Sequence, residues 1–265
     1  MITPGPALDH ALTQTLATER FEGWQPTPEH VADLTALLTG ATPFGDYLAK
    51  YRARYVDPPG TRVRPPLFAR RRPYYWPGTT VLRNNFALHT PPPLRDLEFV
   101  ATAGRLAQFH ARIAAGLLST ADLDLHALHQ HVFADVYPWA GHLRITEIRR
   151  GESIFARVDD LDQRLADLDE LSTHVYSVRP DTAQLGYWLS RLYADYNHTH
   201  PFREGNGRTG TLYLHVVAQL CGHRLRLDMI TRTEWIAASQ DSMPLRRIGR
   251  PNHRPFLALF ARALA

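Results

Sequence analysis

Apolar positions recur at helical spacing along most of the chain. In residues 6–22, Leu8, Ala11, Leu12, Thr15, Leu16 and Glu19 fall on one helical face, a narrow apolar stripe that Gly23 ends. Thr27 followed by Pro28 reads as an N-cap with proline at the first helical position. Val31, Leu34, Leu37 and Leu38 carry this second helix to Gly40. A third short helix is predicted from Pro43 to Arg54. Three helices this short make a poor core of their own, so they are expected to pack on something larger. Proline and charge density over residues 57–73 predicts an extended connection, and the aromatic, turn-rich residues 74–88 predict an ordered loop. Helices are predicted over residues 94–118, 123–136, 159–171, 182–197, 208–221, 231–239 and 251–264. Only residues 143–155 break the rhythm. There β-branched, alternating positions flank Arg149, Arg150, Gly151 and Glu152, as in a β-hairpin. The pattern predicts an all-α helical bundle with one hairpin.

Composition narrows the function more than the fold. The 265 residues are 44% hydrophobic and 21% charged, ordinary for a globular protein with one good core. Thirty basic residues against 26 acidic ones give a formal net charge of +4, too balanced to argue for nucleic acid, and no direct nucleic-acid contact is expected. Lys50 is the only lysine, so no GxxxxGK phosphate loop exists. Any phosphate contact must come from arginine, backbone N–H groups or metal. Cys221 is the lone cysteine, which excludes an internal disulfide and a cysteine-based zinc site. No apolar run reaches membrane-spanning length, and the N-terminus lacks the basic start and apolar stretch of a signal peptide. A cytoplasmic protein with no membrane partner is expected. His126, His129 and His131 invite a metal reading, but no carboxylate completes a ligand set.

Residues 197–222 concentrate the chemistry. An aromatic-rich helix runs into a turn bearing His200, Pro201, Phe202, Arg203, Glu204, Gly205, Asn206 and Gly207. An apolar helix follows from Arg208. A glycine-rich turn that opens a helix presents unpaired N–H groups and the positive end of the helix dipole, an arrangement suited to anions. An imidazole, a carboxylate, a side-chain amide and a guanidinium surround it. A base, a candidate Mg²⁺ ligand and anion donors this close together point to phosphoryl or nucleotidyl transfer.

The motif HPFREGNGR resembles the signature of Fic-domain proteins, H-x-F-x-(D/E)-G-N-G-R-x-x-R, at His200, Phe202, Glu204, Gly205, Asn206, Gly207 and Arg208. The resemblance extends to YYWPGTTVLRNNFAL, HQHVFADVYPWAGHLR, ITEIRRGESIFA and TRTEWIAAS, and so covers residues 73–265, as in VbhT-like bacterial Fic toxins. The segment LATERFEGWQPTPEH resembles the VbhA-like antitoxins that accompany them, whose inhibitory helix carries (S/T)-x-x-x-E-(G/N). Thr18, Glu22 and Gly23 match it. The resemblance implies an antitoxin-like three-helix domain over residues 1–58, a linker over 59–72 and a Fic domain over 73–265. It also implies an AMP-transferring enzyme held off by its own N-terminal helix. His200 is then the general base. Glu204 holds Mg²⁺ on the phosphates of ATP, the co-substrate. Gly205, Asn206 and Gly207 cradle phosphate, Arg208 neutralises the β-phosphate and Phe202 anchors the loop. Gly151, Ile154 and Phe155 lie on a flap that docks the target in extended form. The target is expected to be a protein hydroxyl, with a type II topoisomerase subunit suggested by analogy.

One position departs from the pattern. Its last arginine, which binds the γ-phosphate and pairs with the inhibitory glutamate, falls where this chain has Thr211. Two alternatives to AMP transfer therefore stay open: a degenerate Fic fold that binds nucleotide or a partner, and transfer of a different nucleotide or phosphate-containing group.

Overall fold

The computed structural model describes residues 5–61, 72–151, 153–245 and 249–264. Most of the expected linker, with Arg70 and Arg71, lies outside these residues, as does Glu152 of the hairpin turn. Ten α-helices and one two-stranded antiparallel sheet are present among the described residues: α1 (Pro6–Phe21), α2 (Pro28–Thr39), α3 (Phe44–Arg54), α4 (Pro91–Ala114), α5 (Leu125–Phe133), β1 (Arg149–Arg150), β2 (Ser153–Ile154), α6 (Leu161–Val178), α7 (Thr182–Thr199), α8 (Asn206–Leu220), α9 (Arg232–Asp241) and α10 (Arg254–Ala263).

Local chemistry sets the boundaries. Thr27 caps α2 by accepting from the His30 N–H at 3.3 Å, while the Thr27 N–H donates to His30 Nδ1 at 3.0 Å. Asp181 with Gln184 and Thr231 with Glu234 form the equivalent boxes on α7 and α9. The helix expected over 94–118 starts three residues earlier, at Pro91, because prolines fit the first turn, where no intrahelical N–H bond is needed. Among the described residues the hairpin pairs Arg149 with Ile154 and Arg150 with Ser153. The stretch before it is held by other groups instead. The Arg144 N–H donates to the Pro201 carbonyl at 2.9 Å, and the Ile145 N–H to the Tyr74 hydroxyl at 2.9 Å.

α4 and α8 run through the core, and α1 packs on both. α8 is buried along almost its whole length, including Leu212, Leu214, Val216 and Val217. α1 buries Leu8, Ala11, Ala17 and Phe21 in the same hydrophobic cluster as α4, α7 and α8. Directional bonds fix its register. Gln14 Nε2 donates to Asp228 at 2.7 Å, the Leu227 N–H donates to Gln14 Oε1 at 2.9 Å, and Thr15 Oγ1 bonds His110 Nδ1 at 2.9 Å. The C-terminal turn of α1 is thereby delivered to the N-terminus of α8.

Candidate active site

α7 ends in a tight reversal. His200 adopts the left-handed conformation (φ 47°) and its N–H still caps Tyr196 at 2.9 Å. The loop that follows is tied by Asn206, whose Oδ1 accepts from the Phe202 N–H at 2.9 Å and whose Nδ2 donates to the Phe202 carbonyl at 2.8 Å. The Asn206 side chain thus shapes the loop. Gly205 sits at φ 81°, and a Cβ there would meet the Phe133 ring at 2.2 Å, so backbone angle and space both require glycine. Phe202 is fully buried and stacks on His129 at 3.9 Å.

His129 lies beneath this loop with both ring nitrogens engaged. It is no metal ligand: Nε2–H donates to the Glu204 carbonyl at 3.0 Å, Nδ1 accepts from the Gly141 N–H at 2.8 Å, and burial depresses its pKa to about 3. The ring is a neutral strut under the loop.

A cavity of about 140 Å³ opens above this loop. It is lined by His200, Glu204, the Gly205–Gly207 backbone, Phe155 and Arg150 of the hairpin segment, Tyr193, Tyr196 and Asn197 of α7, and the α9 side around Trp235. His200 stacks on Phe155 at 3.8 Å, and its Nδ1–H donates to the Asn197 carbonyl at 3.3 Å, which leaves Nε2 as the basic nitrogen. Burial lowers its pKa to about 3, so the imidazole is neutral at physiological pH and able to accept a proton. Glu204 is half-buried; burial and the neighbouring Glu98 and Glu22 charges raise its pKa. A carboxylate among carboxylates suits a divalent cation. Mg²⁺ commonly takes one or two protein carboxylates and completes its shell with phosphates and water. No cluster of three His, Cys, Asp or Glu that would hold a metal unaided is found among the described residues.

Of the three residues expected to inhibit, Glu22 lies at this cavity and Gly23 follows it. Glu22, the C-cap of α1, lines the cavity, and a Cβ built on Gly207 would lie 1.8 Å from its Oε1. The carboxylate therefore occupies the ground directly over the first turn of α8. Gly23 follows at φ 98° with the Arg232 guanidinium packed against it, 3.6 Å from where a Cβ would be. Thr18 is buried one turn earlier and does not reach the cavity. Of the hairpin residues, Gly151 makes the turn at φ 56°, Ile154 is exposed and Phe155 is buried on His200.

Arg208 does not line the cavity. Its guanidinium turns to α4, where Nη2 donates to Glu98 and Nη1 to Thr102 Oγ1 at 2.9 Å. Glu19 of α1 stands 3.9 Å from Nη1 and accepts from Thr102 Oγ1 at 2.6 Å. Burial pushes the Glu19 carboxyl up to about 8, against the pull of Arg208. Thr211 offers the cavity nothing, since its hydroxyl donates to carbonyls of its own helix, Arg208 at 3.0 Å and Gly207 at 3.1 Å.

Sequence reasoning missed Glu19, Glu98 and Arg144. Arg144 is wholly buried between loop and hairpin. Nε donates to the His200 carbonyl at 2.9 Å, and Nη2 to the Ala156 carbonyl at 2.5 Å and the Thr199 carbonyl at 3.4 Å. Nothing at the level of residue type separates it from the surface arginines.

The Fic/DOC family profile matches residues 121–218, which span α5, the hairpin, the loop from His200 to Gly205 and most of α8. A probable protein adenylyltransferase of Sinorhizobium fredii is 34% identical over 158 residues, covering 58% of this chain and 78% of that protein. The chain belongs to the Fic/DOC family. Kinship of this extent makes it an enzyme of the nucleotidyltransferase class. The probable protein adenylyltransferase Fic of Escherichia coli is 28% identical over 171 residues, covering 64% and 84% of the two chains. The fold agrees with the N-terminal Fic domain of an effector protein from Bartonella sp. AR 15-3, with a TM-score of 0.61 at 22% identity over 72% of this chain and 90% of that one. BepC of Bartonella tribocorum, solved with bound AMPPNP, superposes with a TM-score of 0.58 at 20% identity, over 72% of this chain and 95% of that one. No helix among the described residues is long and apolar enough to cross a membrane.

Proposed function

We propose that this Fic/DOC enzyme transfers AMP from ATP to a hydroxyl side chain of a protein and that the C-terminal turn of α1 holds it off. The observation that carries this reading is one cavity containing a neutral imidazole at His200, the Glu204 carboxylate and the Gly205–Gly207 backbone, with Glu22 lying on Gly207. His200 Nε2 takes the proton of the target hydroxyl. The oxygen bonds to the α-phosphorus, the bond from that phosphorus to its bridging oxygen breaks, and pyrophosphate leaves. Glu204 would hold Mg²⁺, which supplies positive charge to the phosphates. The N–H groups of Asn206 and Gly207 at the start of α8 would donate to a phosphate oxygen, while the Gly205 N–H donates to Glu204 Oε1 at 3.2 Å. Ile154, exposed at the edge of the hairpin, offers the target segment an apolar contact beside a strand edge. The carboxylate of Glu22 repels a triphosphate and fills the ground it needs, whether or not an arginine orients it. The wider antitoxin-like role of residues 1–58 follows from the resemblance at Thr18, Glu22 and Gly23.

The test supplies Glu22→Gly protein with ATP labelled at the α- or γ-phosphate, with bacterial extract as target source and His200→Ala as control. Label retained from the α-position alone, and only with His200, is the expected result. A purified type II topoisomerase subunit is the first single target to try. Arg208 turned away from the cavity favours a second reading, a nucleotide-binding module without catalysis. Nucleotide binding with no His200-dependent label from any triphosphate would establish that instead.

A further inference from the structure

The cavity is poor in positive charge. Glu22 and Glu204 both face it, and among its described lining residues Arg150 is the only arginine or lysine. Arg208 is held by Glu98 and Thr102 outside it, and the Thr211 hydroxyl is turned onto its own helix. A triphosphate keeps net negative charge even with one Mg²⁺ bound, and a planar guanidinium matches phosphate oxygens two at a time.

We propose that Arg150 of the hairpin is the cation that engages the terminal phosphates of the nucleoside triphosphate, so that the donor is gripped from the flap side. This rests on the nucleotide-transfer reading and names a specificity-determining residue within it. Arg150 is the last residue of β1, paired with Ser153. Successive strand residues face opposite ways, and Arg149, also exposed, does not line the cavity. The positive charge of Arg150 reaches two other walls of the cavity, and acts in the direction of lowering the pKa at both His200 and Tyr193. Glu22 lines the same cavity, so release of α1 would leave Arg150 facing the polyphosphate rather than a carboxylate. Being exposed, Arg150 can be replaced without opening the core.

The experiment is calorimetric titration of Glu22→Gly protein with MgATP and, separately, AMP, repeated with Arg150→Ala, Arg150→Lys and Arg149→Ala added. Loss of one charge-assisted pair is expected to weaken MgATP binding by about tenfold in Arg150→Ala. AMP binding should be unchanged, Arg150→Lys should lose less MgATP affinity than Arg150→Ala because it keeps the charge but not the two-point match, and Arg149→Ala should lose none. Unchanged MgATP affinity in Arg150→Ala overturns the inference and leaves the transfer reading standing. So does an equal loss for AMP, an equal loss from Arg149→Ala, or a lysine variant as weak as the alanine. If Glu22→Gly protein binds neither MgATP nor AMP, the nucleotide reading falls and the inference falls with it.

Discussion

The Glu22 carboxylate stands where a side chain on residue 207 would have to be: a Cβ built on Gly207 lies 1.8 Å from Oε1. The contact joins the end of α1 to the first turn of α8 across most of the chain. It places a negative charge on the helix terminus best suited to receive a phosphate.

The loop beneath this contact has no room to spare. Gly205→Ala combines an unfavourable backbone angle at φ 81° with a Cβ 2.2 Å from the Phe133 ring. A loss of about 2–4 kcal/mol is expected, from overpacking plus left-handed strain. Urea unfolding would check it, with a lowered midpoint and an unchanged slope.

Arg144 is expected to act by positioning. It grips the His200, Thr199 and Ala156 carbonyls from a site with no exposure. Arg144→Lys keeps the charge but not the fork. Fluorescence-detected melting should show lower stability. In the Glu22→Gly background the turnover rate should fall more than nucleotide affinity does, because the groups displaced are the base and the flap. Equal losses in both would argue against a positioning role.

Much of this was legible in the sequence, for identifiable reasons. Helices whose ends carry local signals, such as Thr27 with Pro28 or Gly40 at φ 79°, begin and stop where those residues require. The turn from His200 to Arg208 stood out because glycines and chemical groups cluster within nine residues. What was not legible depends on contacts distant in the chain. Glu19 meets Thr102 across 83 positions, and Arg208 meets Glu98 across 110. Nor does residue type tell that His129 holds the Glu204 carbonyl instead of a metal.

Glu19 should make stability pH-dependent. Its folded pKa, pushed up to about 8 by burial, lies above the ordinary value of 4.5, so the native state binds the extra proton. The stabilisation is complete below about 4.5 and is lost as pH rises through about 8. Glu19→Gln cannot lose that proton, and its melting temperature should fall less than wild type between these limits. Parallel melting curves for the two proteins across this window would contradict the assignment.

As the proposed base, His200 should set the acid limb of activity. Burial holds its pKa well below 6.5, near 3, and the neutral form is the base. In Glu22→Gly protein kcat/KM should therefore not fall as pH drops from 7.5 to 5.5 on account of this group. A limb near 6.5 that His200 controls would mean the site is open to solvent in the working state.

The central claim is that one carboxylate closes a competent site. The direct measurement is the initial rate of AMP transfer from α-labelled ATP by wild-type, Glu22→Gly and Glu22→Gly/His200→Ala proteins, side by side at equal concentration. The account predicts a rate at least about tenfold higher for Glu22→Gly than for wild type, as expected if removing Glu22 relieves at least 1.4 kcal/mol of obstruction. It predicts no transfer by the double variant. Wild-type protein that transfers AMP as fast as Glu22→Gly would contradict it.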